Sequence, residues 1–391
     1  MENSVDFNNV KVAFSHKNDG ELRKTIFIYR LIQRPFLVVI LSKVAGWILK
    51  YKIPLKFLLK NTVFKLFCAG QNRKEAQITM NKLKEHNVNT VLDYVAEGDN
   101  SEASFKINLE TILENIRFVS LENKEPFVGV KLSGLEDVDF IKTVGYSDSS
   151  SDAEEKRRKE QFIERVNEIC ALAVSKNVKV YFDAEEKSTQ DFYDLIVEEM
   201  MRKYNKTNSL IYTTLQMYMK DRVAYLEYLV EDAKEKEYLI GVKLVRGAYM
   251  EKERKYAEIA GVKSPVFETK IQTDYSFDQA VTICLKEYAI VATCLATHNQ
   301  QSVELALKLI EQNNIINHYE RVFFSQLYGM SDNLTFNLAK GHYNSSKYVP
   351  YGEVEKAIPY LLRRAEENSS IEGQTSRELE LLTQEKSRRK K

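Results

Sequence analysis

Hydrophobic positions along the chain switch repeatedly between two periods. Short runs rich in β-branched and aromatic residues alternate with longer stretches in which apolar residues recur every three or four positions. The strand-like runs are "NTVLDYV" (89–95), "FVGVKL" (127–132), "VKVYFDA" (178–184), "LIYTTL" (210–215), "YLIGVKLV" (238–245), "AIVATCLAT" (289–297), "RVFFSQL" (321–327) and "SKYVPY" (346–351). Helix-period segments separate them, among them "AEEKRRKEQFIERVNEICALAVSK" (153–176) and "QQSVELALKLIEQNN" (300–314). Strands alternating with crossover helices predict a parallel sheet, and eight such units predict a closed (β/α)8 TIM-like barrel of the α/β class. The expected organisation is a helical N-terminal region over 1–88, a barrel over 89–370 and a charged C-terminal tail over 371–391. "VGYSDSSSDAEEK" (144–156) has no apolar period and reads as a loop, and the tail as a fraying helix end with a solvated basic finish.

Composition narrows the classes of function. Lys plus Arg (57) and Asp plus Glu (56) nearly cancel, so the strongly basic footprint of a nucleic-acid binder is absent. Cys68, Cys170, Cys284 and Cys294 show no CxxC pair or metal-ligand spacing, which suits reduced thiols in a reducing compartment and predicts neither a metal nor a disulfide framework. The first residues, "MENSVDFNNVKV", lack the layout of a secretory signal or transit peptide, so a cytoplasmic protein beginning here is expected. The apolar run "PFLVVILS" (35–42) is far too short to span a bilayer. Lysines 43, 50, 52, 56 and 60 recur among apolar residues between 43 and 67. That pattern suits helices packed on a barrel with lysines in water, or a basic amphipathic contact with the inner face of a membrane.

Active sites of such barrels lie at the carboxyl ends of the strands. Polar residues ending apolar strands are therefore the first candidates: Lys131, Asp183, Gln216, Lys243, Arg246, Tyr249, Thr297, His298, Asn299 and Gln326. Strand alternation puts Lys131 in phase with Phe127 and Gly129, and Asp183 in phase with Lys179 and Tyr181, so opposite charges should meet at the top of the barrel. Taken singly each reads as part of a structural salt bridge; the coincidence on so many strand ends favours a site. After the eighth strand, "YLLRRAEEN" (360–368) places Tyr360, Arg363, Arg364 and Glu367 on one helical face, opposite Val354, Ala357, Ile358, Leu361, Leu362 and Ala365. This face is either wet, with an Arg363–Glu367 pair, or a pair of guanidinium forks suited to a carboxylate or phosphate. Pro359 should kink this helix or mark a late start.

"VKLSGL" (130–135), "FDAEE" (182–186), "IYTTLQMYMKD" (211–221), "KLVRGAYMEKER" (243–254), "ATHN" (296–299), "QLYGMSD" (326–332) and "KYVPYGEVEKAIPYLLRRAEEN" (347–368) together resemble the proline dehydrogenase family, in family order, from about Asp93 to Asn368. The resemblance implies a distorted (β/α)8 barrel with FAD across the strand ends, and hydride transfer from C5 of L-proline to flavin N5, giving Δ1-pyrroline-5-carboxylate. Electrons would pass to a quinone in a membrane, and the basic N-terminal helices would contact that membrane. By the same resemblance, Lys131, Arg363 and Arg364 would bind the substrate carboxylate, with Glu367 pairing an arginine. Asp183 and Lys243 would be catalytic. Tyr249, Leu327, Tyr348 and Tyr360 would shape the pyrrolidine pocket. Gln216, Lys243, Val245, Arg246, Gly247, Thr297, His298, Asn299 and Gln326 would contact FAD. Lys243 and Arg246 stand where bacterial bifunctional members carry Arg then Lys, an arrangement similar to the monofunctional, eukaryotic-type branch.

Two other activities fit this scaffold. A hydroxyproline dehydrogenase typically has a small residue where Tyr348 stands, so the tyrosine favours proline. A Schiff-base aldolase would use Lys131 or Lys243 as nucleophile.

Overall fold

All eight strand-like runs form strands: β1 (Asn89–Tyr94), β2 (Phe127–Val130), β3 (Lys179–Phe182), β4 (Ile211–Gln216), β5 (Ile240–Val245), β6 (Val291–Ala296), β7 (Val322–Leu327) and β8 (Ser345–Tyr351). They join in sequence order as a closed barrel, and β1 pairs in parallel with β8. Such strands are covered on both faces, which explains why they read as near-continuous apolar runs; every residue of β4 is buried. The structure, a computed structural model, describes residues 5–33, 63–95, 100–122, 125–144, 152–315, 318–370 and 374–391.

The chain divides into two compact units, residues 98–324 and residues 1–97 with 325–391. In the first, side chains of the neighbouring strands β2, β3 and β4, and of β7, pack as aromatic pairs: Phe127–Tyr181 at 5.1 Å between centroids, Tyr181–Tyr212 at 5.0 Å and Phe127–Phe323 at 5.1 Å. Lys179, at the start of β3, lies 5.1 and 5.2 Å from the Phe127 and Phe323 rings and pairs with Glu125 at 2.5 Å, so its charge is satisfied beside an apolar core. Side-chain caps start the surrounding helices where the hydrophobic period begins. Asp152 caps Ala153–Ser175, Thr269 caps Lys270–Lys286 in a capping box, and Asn299 caps Gln300–Gln312. Of the expected loop 144–156, residues 145–151 lie outside the described residues, and the helix begins at Ala153.

The second unit has its own core, built from Phe14, Tyr29, Phe64, Phe67, Leu361 and Leu382 among others. It corrects two expectations, on the tail and on Pro359. Of the stretch 43–67, Phe64, Leu66 and Phe67 are buried in this core, which agrees with the reading of packed helices; lysines 43, 50, 52, 56 and 60 lie outside the described residues. The terminal segment is no solvated tail: the helix Gln374–Arg388 buries Leu381, Leu382, Glu378 and Glu385. Its apolar positions, spaced at the helical period among many charges, were masked by mean polarity. Arg389 fastens its end, donating to the Phe14 and Lys17 carbonyls at 2.8 Å each and to Asp19 at 2.9 Å. Pro359 marks no late start, since its helix, Val354–Ser370, begins five residues earlier. Among the described residues no helix is long and apolar enough to cross a membrane.

Candidate active site

In the unit 98–324, strand register gathers the predicted residues. Val130 of β2 is level with Phe182 of β3, and the Asp183 N–H donates to the Val130 carbonyl at 2.8 Å. Lys131 and Asp183 therefore leave the sheet side by side. The Lys131 ammonium stands 3.7 Å from one Asp183 carboxylate oxygen, and the Lys243 ammonium donates to the other. Lys243 is 5% exposed and lies 5.4 Å above the Tyr181 ring. An unpaired ammonium so deep would be strongly unfavourable, so Asp183 holds its charge in place. Lys131 keeps 32% of its side chain exposed.

β4 and β5 are level at Gln216 and Val245. The Gln216 amide donates to the Glu185 carbonyl at 2.7 Å and its oxygen accepts from the Tyr218 hydroxyl at 2.9 Å. Arg246 follows β5 and spends its guanidinium on three acceptors: Asp274 at 2.6 Å, the Thr297 hydroxyl at 2.7 Å and the Ser302 hydroxyl at 3.0 Å. It also lies 4.5 Å over the Phe277 ring. Burial raises the proton affinity of Asp274, but Lys270 and Arg246 outweigh it and hold the carboxyl below its ordinary range. Gly247 sits at φ +119°, and a Cβ there would fall 1.8 Å from the Tyr218 ring, so the turn requires glycine. Tyr249 precedes Met250–Ala260 and His298 follows β6, both half-buried. Asn299 acts through its side chain as the cap of Gln300–Gln312, accepting from the Gln301 and Ser302 amides at 2.9 and 3.3 Å.

The other predicted residues belong to the second unit. Gln326 is buried in β7 and accepts from the Thr335 hydroxyl at 2.8 Å. Leu327 ends β7 against the core of this unit, and Tyr348 lies half-buried in β8, level with Val91. On Val354–Ser370, Tyr360 and Arg364 are buried and Arg363 is half-buried. The Arg364 guanidinium lies 5.2 Å from the Tyr360 ring centroid. Of this face, Tyr360 and Arg364 are therefore withdrawn from water. The Glu367 side chain lies outside the described residues.

Sequence reasoning missed Ser133 and Glu185, which join directly: the Ser133 hydroxyl donates to Glu185 at 2.6 Å and its amide at 3.0 Å. It also missed Asp274 and Ser302, which fix Arg246. Both lie within helices, where such residue types ordinarily face solvent. Glu185 could have been found, since it stands two residues after Asp183 and shares its strand-end parity.

A closed parallel barrel with charged side chains converging at the carboxyl ends of its strands defines a (β/α)8-barrel enzyme. The family model for proline dehydrogenase matches residues 76–377. The chain belongs to the proline dehydrogenase family and is an oxidoreductase of that kind. It is 33% identical over 335 residues to the carbapenem antibiotics biosynthesis protein CarD of Pectobacterium carotovorum, covering 85% of each chain. It is 29% identical over 436 residues to proline dehydrogenase 1, mitochondrial, of Dictyostelium discoideum, covering 99% of this chain and 75% of the relative. The fold matches crystalline proline utilization A from Bdellovibrio bacteriovorus with a TM-score of 0.71 at 21% identity, over 94% of this chain and 37% of that one.

Proposed function

We propose that the protein oxidises L-proline to Δ1-pyrroline-5-carboxylate with FAD as cofactor and a quinone as electron acceptor. The observation that carries this reading is the cluster of Lys131, Asp183 and Lys243 at the carboxyl ends of β2, β3 and β5. Lys131 is half-exposed and cationic beside a buried ion pair, which suits it to a substrate carboxylate. By the family resemblance, Arg363 and Arg364 are also carboxylate-binding residues, and Tyr249, Leu327, Tyr348 and Tyr360 are ring-contacting ones. Asp183 orients both lysines.

The residues expected to hold FAD fit such a group chemically. Gln216, Arg246 and Thr297 supply donors and acceptors, Gly247 keeps the β5 turn close to Tyr218, and the capped end of Gln300–Gln312 is electropositive. When bound, FAD supplies the hydride acceptor, while the protein supplies orientation and electrostatics. Tyr348 leaves less room for a ring hydroxyl than a small residue would, which favours proline over hydroxyproline.

Steady-state turnover with L-proline and trans-4-hydroxyproline, using a soluble quinone, tests the reading. Proline should be preferred by about tenfold or more, the discrimination expected of a pocket without space for an added group. Lys131→Met should raise KM for proline by about 10- to 100-fold, as loss of a charge-assisted hydrogen bond implies. Preference for hydroxyproline, or no turnover of either, would contradict it.

A further inference from the structure

The Lys131 ammonium stands 3.7 Å from an Asp183 carboxylate oxygen. The turn that carries it is held far more closely. Lys131 is the N-cap of the 3-10 turn Leu132–Gly134. At the centre of that turn, Ser133 gives both its hydroxyl (2.6 Å) and its backbone amide (3.0 Å) to the two oxygens of Glu185. The far end is tied by the Asn108 amide, which donates to the Gly134 carbonyl at 2.9 Å. Glu185 is itself fixed through its backbone. Its N–H donates to Gln190 at 2.9 Å and its carbonyl accepts from Gln216 at 2.7 Å. One residue thus spans the carboxyl ends of β2, β3 and β4.

We infer that Glu185 is a positioning residue: its carboxylate, clasping Ser133, sets the backbone from which Lys131 reaches the substrate carboxylate. It acts through Lys131, and the inference rests on the reading that the substrate is proline. Burial raises the proton affinity of Glu185, while the two Ser133 donors and Lys131 pull it back, so the clasp and the ammonium are electrostatically joined as well.

The test uses the flavin-loaded full chain. Glu185→Gln and Ser133→Ala should each raise KM for proline roughly tenfold, about the effect of losing one charge-assisted hydrogen bond, with kcat changed less than about twofold. The same variants should weaken binding of cyclopentanecarboxylate, which cannot be oxidised at an amine, yet leave binding of the neutral cyclopentanecarboxamide unchanged in calorimetry. In a Lys131→Met background, Glu185→Gln should add less than about twofold, because positioning residues are not additive with the group they position. Equal weakening of carboxylate and carboxamide, full additivity with Lys131→Met, or a fall in kcat alone would overturn the inference while leaving proline oxidation standing. A wild-type protein that does not turn over proline would overturn both together.

Discussion

At the scale of single residues, the account turns on side chains whose surroundings leave little choice. Gly247 is the sharpest case, because both its φ of +119° and the Tyr218 ring exclude a Cβ. Gly247→Ala should lower the unfolding free energy by about 1–3 kcal/mol, the usual magnitude for forcing a side chain into such a backbone region. Displacing Tyr218 would also release the Gln216 oxygen that its hydroxyl holds, so the variant should retain less FAD than wild type. Urea denaturation and the flavin-to-protein ratio measure the two effects. The residue-level picture was legible in part. Lys131, Asp183 and Lys243 were readable because strand alternation and strand ends are periodic properties. The clasp of Glu185 on Ser133 was not, because it depends on a short turn whose geometry no period encodes.

At the scale of elements, the C-terminal helix Gln374–Arg388 departs most from what its composition suggested. Leu382, 1% exposed, packs in the core with Phe14 and Tyr29. Leu382→Ala should therefore cost about 2–5 kcal/mol, whereas a solvated tail would tolerate it. Glu378 on the same helix accepts from the Ser331 amide at 3.0 Å beside a buried charge cluster in which Asp332 pairs with Lys17 at 3.0 Å and Lys347 at 2.9 Å, and lies 3.3 Å from His16. Burial first, and Asp332 second, push the Glu378 carboxyl from 4.5 up to about 7. Folded protein then holds a proton there that the unfolded chain has lost, so this group lowers stability as pH rises from about 4.5 to 7. Glu378→Gln should remove that loss and be the more stable form at pH 8 by up to about 3 kcal/mol, with little difference at pH 4. His16 works in the opposite direction. Burial lowers it to about 4, so its contribution disappears as pH falls. It is common to both proteins and cancels in their difference, measured by denaturation across the pH range.

At the scale of the whole molecule, the barrel was the most legible feature. Each strand is buried on both faces and each crossover helix carries an amphipathic stripe, so eight strands and their order follow from the hydrophobic pattern. Less legible was the contribution of the chain ends. Residues 5–33 and 374–391 share one core with the helix that bears Arg363 and Arg364. The contacts responsible join positions far apart in sequence, 300 in the case of the Tyr29 hydroxyl bond to the Gly329 carbonyl, and no local pattern announces them.

Delivery of L-proline to a bound flavin by this barrel is tested most directly by anaerobic absorption spectroscopy. The purified protein should show an oxidised-flavin band at ~450 nm that bleaches on addition of L-proline. A colourless protein that takes up no FAD, or a flavin band that proline leaves untouched, would contradict it.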